Sequence, residues 1–221
     1  TFTDVSVAAA ADDRGYGVGV TAADYDNDGD TDVFISNYGA NVLYSNSADG
    51  RFRDHTIAAG VGDQRWGTGC TFLDIDNDGL LDLYVANYLD YTLDEPGKDL
   101  TPYVVAAGDT LRMDLRAYPS PDNFDGAADV LYRNVGDGTF VDVTEKAGVL
   151  NPDGKGMGVV GGDYDGDGFV DIFVANDQRA NFLYRNGGDG TFTDMALIAG
   201  VGYSGDGRME ASMGADFGDY D

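Results

Sequence analysis

A nine-residue acidic segment that occurs three times constrains this chain more than any other feature of its sequence. Each copy has Asp at positions 1, 3, 5 and 9 and Gly at position 6, and the copies occupy residues 24–32, 74–82 and 163–171. Asp219 and Asp221 begin a fourth copy. Carboxylates spaced in this way around a glycine turn are typical of loops that bind a hard cation such as Ca²⁺. We therefore expect a repeat protein with one metal loop in each repeat.

The acidic segments lie within a longer repeat. Gly-Asp-Gly-Thr-Phe occurs at residues 136–140 and 188–192, and a variant, Ala-Asp-Gly-Arg-Phe, occurs at 48–52. The Phe of these motifs aligns with Phe2 near the start of the chain, and Phe2 and Phe52 are 50 residues apart. Units of this length stack on their neighbours and bury a shared core, so one unit alone is not expected to be stable.

Each repeat contains four short apolar runs separated by turn residues, which is the pattern of β-strands. The first run is rich in Gly and ends at the metal loop, the second follows the loop, and the fourth is entered through an Asp-Gly hairpin turn. Four antiparallel strands at this period predict an all-β fold in which each unit is one blade of a β-propeller. Gly-rich strands suit the centre of such a fold, where backbones approach closely. Helix is expected only as short turns between blades.

The repeat boundaries predict a single propeller array with three complete blades and partial blades at both ends. Residues 1–56 hold the outer strand of a preceding blade and blade 1, 57–144 hold blade 2, 145–195 hold blade 3, and 196–221 start blade 4. Blade 2 carries an insertion at about residues 89–128, between its second and third strands. A loop of this length is usually either functional or disordered, and the sequence leaves both open. We interpret the chain as part of a longer propeller.

The acidic loops differ from an EF-hand, which needs a carboxylate at position 12. Position 12 is Ile35, Val85 or Val174, inside the following strand. Loops of this length can instead ligate through carboxylates 1, 3, 5 and 9, and the carbonyl oxygen of position 7 can add another ligand. The alternative is an Asp- and Gly-rich turn that binds nothing. The presence of three copies favours the metal-binding interpretation. Four uncompensated carboxylates within nine residues would repel one another, and a bound cation would reduce this repulsion.

Composition limits the partners and the compartment. The chain has 13 basic and 40 acidic residues, a formal charge of −27, which argues against nucleic acid because phosphates would be repelled. No apolar run approaches the roughly 20 residues of a membrane helix, so no membrane insertion is expected. The single cysteine, Cys70, excludes an internal disulfide framework and favours a small buried hydrophobe. Asp-rich loops suit millimolar calcium, which predicts an extracellular, cell-surface or periplasmic location.

The motifs also resemble a known family. An Asp-x-Asp-x-Asp-Gly-x-x-Asp loop after a Gly-rich strand, followed by Val-Leu-Tyr-Arg-Asn-x-Gly-Asp-Gly-Thr-Phe-x-Asp-Val-Thr as at residues 130–144, resembles the FG-GAP/VCBS repeat. More narrowly, the chain is similar to bacterial secreted proteins of the ASPIC/UnbV type, which are related to cartilage acidic protein. The resemblance covers essentially the whole chain, although the ASPIC/UnbV segment itself is not visible in it.

The resemblance implies an integrin-α-like propeller, commonly of seven blades, with Ca²⁺ in the loop between the first two strands of a blade. Three complete calcium sites and a fourth, truncated one are expected. The implied ligands, with the position 7 carbonyls, are Asp24, Asp26, Asp28, Asp30 and Asp32, then Asp74, Asp76, Asp78, Leu80 and Asp82, then Asp163, Asp165, Asp167, Phe169 and Asp171, and finally Asp219 and Asp221.

Catalytic constellations are absent from the sequence. The one histidine, His55, aligns with Val143 of another repeat, which favours a packing or surface role over that of a general base. The leading hypothesis is a calcium-binding, non-catalytic extracellular module for adhesion, assembly or protein–protein interaction, with a protein or glycan partner on its outer surface and possible self-assembly through open blade faces. The alternative is a carbohydrate-binding lectin, which the 14 Tyr residues and Trp66 favour weakly. A polysaccharide lyase is a third, less favoured hypothesis.

Overall fold

The computed structural model describes residues 1–91, 103–106, 109–112 and 120–218. Two of the predicted ligands, Asp219 and Asp221, and much of the predicted insertion lie outside these residues.

Short antiparallel strands make up most of the regular structure. In chain order they are β1 (Tyr16–Ala23), β2 (Asp32–Tyr38), β3 (Val42–Asn46), β4 (Phe52–Asp54), β5 (Gly67–Leu73), β6 (Asp82–Asn87), β7 (Tyr103–Ala106), β8 (Asp109–Arg112), β9 (Val130–Asn134), β10 (Phe140–Asp142), β11 (Gly156–Gly162), β12 (Asp171–Arg179), β13 (Phe182–Asn186), β14 (Phe192–Asp194) and β15 (Glu210–Ala211). The helices are single turns, α1 (Thr56–Ala59), α2 (Thr144–Ala147) and α3 (Ala196–Ala199), with a 3-10 turn at Pro121–Asn123. None of the described helices has the length and apolar character needed to cross a membrane.

The strands form three four-stranded antiparallel sheets, which confirms the all-β prediction of one blade for each complete repeat. Their strand orders are β1-β2-β3-β4 in blade 1, β5-β6-β9-β10 in blade 2 and β11-β12-β13-β14 in blade 3. Strands β6 and β9 pair directly although the insertion separates them, and β7 and β8 form a hairpin within it. Each blade is followed by one of the helical turns, as expected for the connections between blades.

The innermost strands approach one another so closely that glycine is required at their contacts. A Cβ on Gly19 would lie 1.9 Å from the carbonyl oxygen of Thr68, and one on Gly69 would lie 2.9 Å from the amide nitrogen of Val159. A Cβ on Gly158 would lie 2.8 Å from the Cα of Gly214. Because these glycines recur at one repeat position, the close approach of neighbouring blades is a repeating feature of the backbone.

The hydrophobic core lies between blades rather than within them. One cluster joins blades 1 and 2 and includes Tyr25, Phe34, Leu83 and Phe140, all buried. A second joins blades 2 and 3 and includes Leu73, Ile75, Tyr84, Leu131, Ile172, Val174 and Tyr184. A single blade therefore buries little apolar surface alone, as expected for a stacked repeat.

The partial blades at the two ends form little β-structure. The segment around Phe2, predicted as the outer strand of a preceding blade, forms no strand, and Phe2 is fully exposed. At the other end, β15 pairs with the end of β12, while the Gly-rich segment 212–218 forms no strand. At neither end do the described residues form the blade strands predicted there.

Candidate metal centres

Each acidic segment forms the turn between the first and second strands of its blade. The position 6 glycines, Gly29, Gly79 and Gly168, have φ values of 95°, 84° and 89°, a region that residues with a Cβ rarely enter. Asn27 and Asn77 at position 4 also have positive φ, which Asn tolerates better than most residues. These dihedrals curl the backbone so that its amide N–H groups point towards the carboxylates of the loop.

The position 1 carboxylate accepts hydrogen bonds from the backbone N–H groups of the turn. Asp24 Oδ1 accepts a hydrogen bond from the Asp28 N–H at 3.0 Å, and its Oδ2 accepts one from the Gly29 N–H at 2.9 Å. Asp74 and Asp163 accept the corresponding bonds in blades 2 and 3. The position 5 carboxylate stabilises the following part of the loop by accepting a hydrogen bond from the backbone N–H of position 7. This holds for Asp28, Asp78 and Asp167. The loop is thus shaped by its own carboxylates.

The position 9 carboxylate closes the loop and is buried in all three blades. Asp32, Asp82 and Asp171 each accept one hydrogen bond from the N–H of position 2 and another from the N–H of an Asn at the end of the third strand. Burial raises the pKa of Asp32 to about 6 and that of Asp82 to about 7, and it also raises the pKa of Asp171. A neighbouring cation would favour the ionised form of these carboxyls.

Carboxylate oxygens from three residues converge in each loop, within 4.8 Å of one another. Positions 1 and 3 take part every time. The third member is position 9 in blades 1 and 3 and position 5 in blade 2, so that Asp28, Asp82 and Asp167 lie outside the tightest groups. The groups are Asp24, Asp26 and Asp32, then Asp74, Asp76 and Asp78, then Asp163, Asp165 and Asp171. The position 7 residues lie beside these groups, because the backbone N–H of each donates a hydrogen bond to the carboxylate of position 5. These residues are Asp30, Leu80 and Phe169.

This donor set fits a hard divalent cation. All the converging atoms are carboxylate oxygens, the ligand type that Ca²⁺ prefers. In blade 2, Asp76 Oδ1 is buried and has no hydrogen-bond partner among the described residues. A buried acceptor without a donor is costly, and a bound cation would satisfy it.

Two arginines that the sequence did not assign to the sites lie against the loops. Arg133 Nε is 3.0 Å from Asp76 Oδ2, and Arg133 Nη2 is 3.9 Å from Asp78 Oδ2. Arg185 Nε is 2.5 Å from Asp165 Oδ2, and Arg185 Nη2 is 3.0 Å from Asp167 Oδ2. A repeated sequence could have pointed to these arginines. It reads Tyr-Arg-Asn at residues 132–134 and 184–186, and the corresponding residues 44–46 of blade 1 read Tyr-Ser-Asn.

The asparagines of the two Tyr-Arg-Asn runs connect the loops of blades 1 and 2 to the next blade. Asn134 Nδ2 donates to the carbonyl of Tyr25 in blade 1 at 2.8 Å and to that of Leu81 in its own blade at 3.0 Å. Asn186 does the same in blade 3, donating to the carbonyl of Ile75 in blade 2 at 2.8 Å. The loops are also joined directly, because Asn27 donates to the carbonyl of Gly79 at 3.1 Å. Each candidate site is therefore part of an interface between blades.

Of the remaining residues singled out in the sequence, His55 lies beside the loop of blade 1, and Cys70 and Trp66 are not among the loop residues. His55 Nδ1 is 2.8 Å from Tyr25 Oη, a hydrogen bond at the edge of the core. Cys70 is partly buried in β5, and burial raises the pKa of its thiol to about 11. Trp66 packs edge to face against Tyr38 and Tyr88. It belongs to a row of aromatic rings at the edge of blades 1 and 2 opposite the metal loops.

Comparison with known proteins agrees with this architecture. The family model described as an FG-GAP-like repeat matches residues 24–85, 120–174 and 163–221. The chain is also similar to cartilage acidic protein 1 of Homo sapiens, with 44% identity over 63 residues. That match covers 28% of this chain and 9% of the human protein.

Proposed function

The chain belongs to the family of FG-GAP-like repeats, and we propose that it is a calcium-stabilised, non-catalytic propeller module that binds another macromolecule outside the cytoplasm. Calcium has a structural role in this proposal. It reduces the repulsion among the carboxylates of the metal loops and so stabilises the interfaces between blades.

One observation carries the proposal, the convergence of three carboxylates at the same place in three successive blades. A single acidic turn is common without an ion, but the same shape built three times, with buried position 9 carboxylates, is costly unless a cation is bound. The loops are hydrogen-bonded to neighbouring blades through Asn27, Asn134 and Asn186, so an ion that orders a loop also orders an interface.

The location and the partner class follow from the chemistry of the loops and from the family. Exposed loops built from Asp carboxylates suit the millimolar calcium found outside the cytoplasm. FG-GAP-like domains generally mediate protein interactions, which favours a protein partner. The chain's charge of −27 favours a partner surface that is not itself strongly acidic.

Thermal unfolding with and without calcium tests the proposal. A ligand that binds only the folded chain stabilises it by about 1.4 kcal/mol for each site at tenfold excess over Kd, and about 2.7 kcal/mol at hundredfold excess. The melting temperature is therefore expected to rise by many degrees between EDTA and 10 mM CaCl₂, and to rise less in Asp76→Ala. NaCl at the same ionic strength as the CaCl₂ is the control for ionic strength. Equal melting temperatures in calcium and in EDTA would rule the proposal out.

Sugar binding is a second candidate function, and the row of aromatic rings favours it. Tyr16, Gly17, Val18, Tyr38 and Trp66 line a cavity of about 450 Å³ at the edge opposite the metal loops. Aromatic faces of this kind can stack on sugars, although the edge-to-face contacts among these rings also suit simple packing. Fluorescence of Trp66 that stays constant across a panel of glycans would dismiss this candidate.

A further inference from the structure

The three metal loops differ in the charge that surrounds them. Blade 2 places an arginine against the carboxylate at position 3, and blade 3 places one against the carboxylates at positions 3 and 5. The equivalent residue of blade 1 is Ser45, since Ser45, Arg133 and Arg185 each pair with the middle residue of the fourth strand. Blade 1 also has a fifth carboxylate, Asp30, where the other loops have Leu80 and Phe169. The local charge is therefore −5 in blade 1 and −4 + 1 = −3 in blades 2 and 3.

The two arginines contact the groups that a cation would need. Arg185 contacts both Asp165 and Asp167 at 3.0 Å or less, whereas Arg133 is close only to Asp76 and lies 3.9 Å from Asp78. Arg53 is the cross-strand neighbour of Ser45, but it lies one strand further from the loop and forms no ion pair within the described part of the chain. Among the described residues no arginine pairs with the loop of blade 1, where the neighbouring basic side chain is His55, hydrogen-bonded to Tyr25.

We propose that Arg133 and Arg185 are built-in counter-cations that weaken calcium binding in blades 2 and 3, so that the loop of blade 1 binds calcium first. The inference rests on the proposed calcium-binding function. A guanidinium beside the ligand carboxylates repels an incoming divalent ion and forms ion pairs that compete with it. At separations near 5 Å in a water-like dielectric, this repulsion changes the affinity on the order of tenfold. The closer contacts of Arg185 place blade 3 last in the order of binding.

The arginines have the opposite effect when calcium is scarce. Without a cation, four carboxylates in one turn repel one another, and the guanidinium is the nearest positive charge that reduces this repulsion. Blades 2 and 3 can therefore keep their loops folded at low calcium, whereas blade 1 depends on the ion. The arrangement gives the chain a stepwise response, in which calcium orders the loop of blade 1 at low concentration and fills the already folded loops of blades 2 and 3 at higher concentration.

Calorimetric titration of the chelator-treated chain with calcium tests this inference. The wild type should show one step that is on the order of tenfold tighter than the other two. In the double variant Arg133→Ser and Arg185→Ser, the two weak steps should tighten by a similar factor, while the melting temperature in EDTA should fall. Arg208→Ser is the matched control, because it removes one arginine and an ion pair to Asp206 that lies outside the loops.

The reciprocal variant Ser45→Arg gives a second test that does not depend on the folding of the double variant. It should weaken the tightest step by about tenfold and leave the other two unchanged. Three bound ions with unchanged affinities in both variants would overturn this inference alone. A wild-type chain that binds no calcium would instead overturn the proposed function, and this inference with it.

Discussion

At the scale of single residues, the charge at Asp129 shows how one position of the repeat differs between blades. Asp129 immediately precedes β9, the third strand of blade 2, and is 1% exposed; the equivalent residues of the other blades are Asn41 and Asn181. Its Oδ1 accepts a hydrogen bond from the Asn87 N–H, as Asn41 Oδ1 does from the Asn37 N–H. Blade 2 thus has a buried carboxylate where its neighbours have a neutral amide.

Desolvation raises the pKa of Asp129 to about 6, although bonds from Asn87, Asn151 and Tyr84 act to lower it. Because this value exceeds the unfolded one of about 3.9, the folded chain holds the proton more tightly than the unfolded chain between the two values. The contribution of Asp129 to stability is therefore largest below about pH 4 and is lost as the pH rises through about 6.

Asp129→Asn should remove this pH dependence. Between pH 4.5 and pH 7, the free energy of unfolding of the wild type should fall relative to that of the variant by about 2 kcal/mol. Urea unfolding across this range at constant calcium measures the difference, and the exposed Asp49→Asn controls for the loss of one charge. Curves for Asp129→Asn and wild type that stay parallel across the range would show that the carboxyl does not titrate in this window.

At the scale of strands and loops, local sequence indicated most of what the structure contains. The predicted second run at 33–36 corresponds to β2, and the run at 51–54, entered by an Asp-Gly turn, corresponds to β4 (Phe52–Asp54). Strand alternation and turn residues are local signals, so they are visible in the sequence. The contact between Arg133 and Asp76 could not be predicted from local sequence, because the two residues are 57 positions apart. Only the pairing of β6 with β9 brings them together.

Asn134 allows the hydrogen bond between a loop and the next blade to be measured. Asn134→Ala leaves the buried carbonyl of Tyr25 without this donor, and it is expected to lower the free energy of unfolding by about 1–3 kcal/mol. Asn46→Ala is the matched control, because Asn46 donates to Thr31 within its own blade. Urea unfolding in saturating calcium should show the larger loss for Asn134→Ala. An equal loss of unfolding free energy in the two variants would mean that the hydrogen bond between blades does not contribute to stability.

At the scale of the whole molecule, the blades depend on one another. The core lies between blades, the innermost strands meet at glycines, and the asparagines connect loops across the same interfaces. The sequence predicted this dependence from the repeat itself, since a 50-residue unit with one Gly-rich strand cannot cover its own apolar face. It did not predict the behaviour of the ends, where the segment around Phe2 and residues 212–218 form no strand.

The same interfaces place the metal loops where an ion affects the whole array. The loops of blades 1, 2 and 3 are joined in series, because Asn27 donates to the carbonyl of Gly79 and Asn77 donates to that of Gly168. An ion that orders one loop therefore acts on the blade beside it as well. This is why we attribute a structural role to calcium in the array as a whole.

Counting the bound ions tests the account most directly. Native mass spectrometry of the full chain, after removal of metal and addition of calcium, should show three calcium ions on each folded chain, and one fewer when Asp24 is replaced by Ala. A chain that stays folded and monodisperse in millimolar calcium with no ion bound would contradict the account.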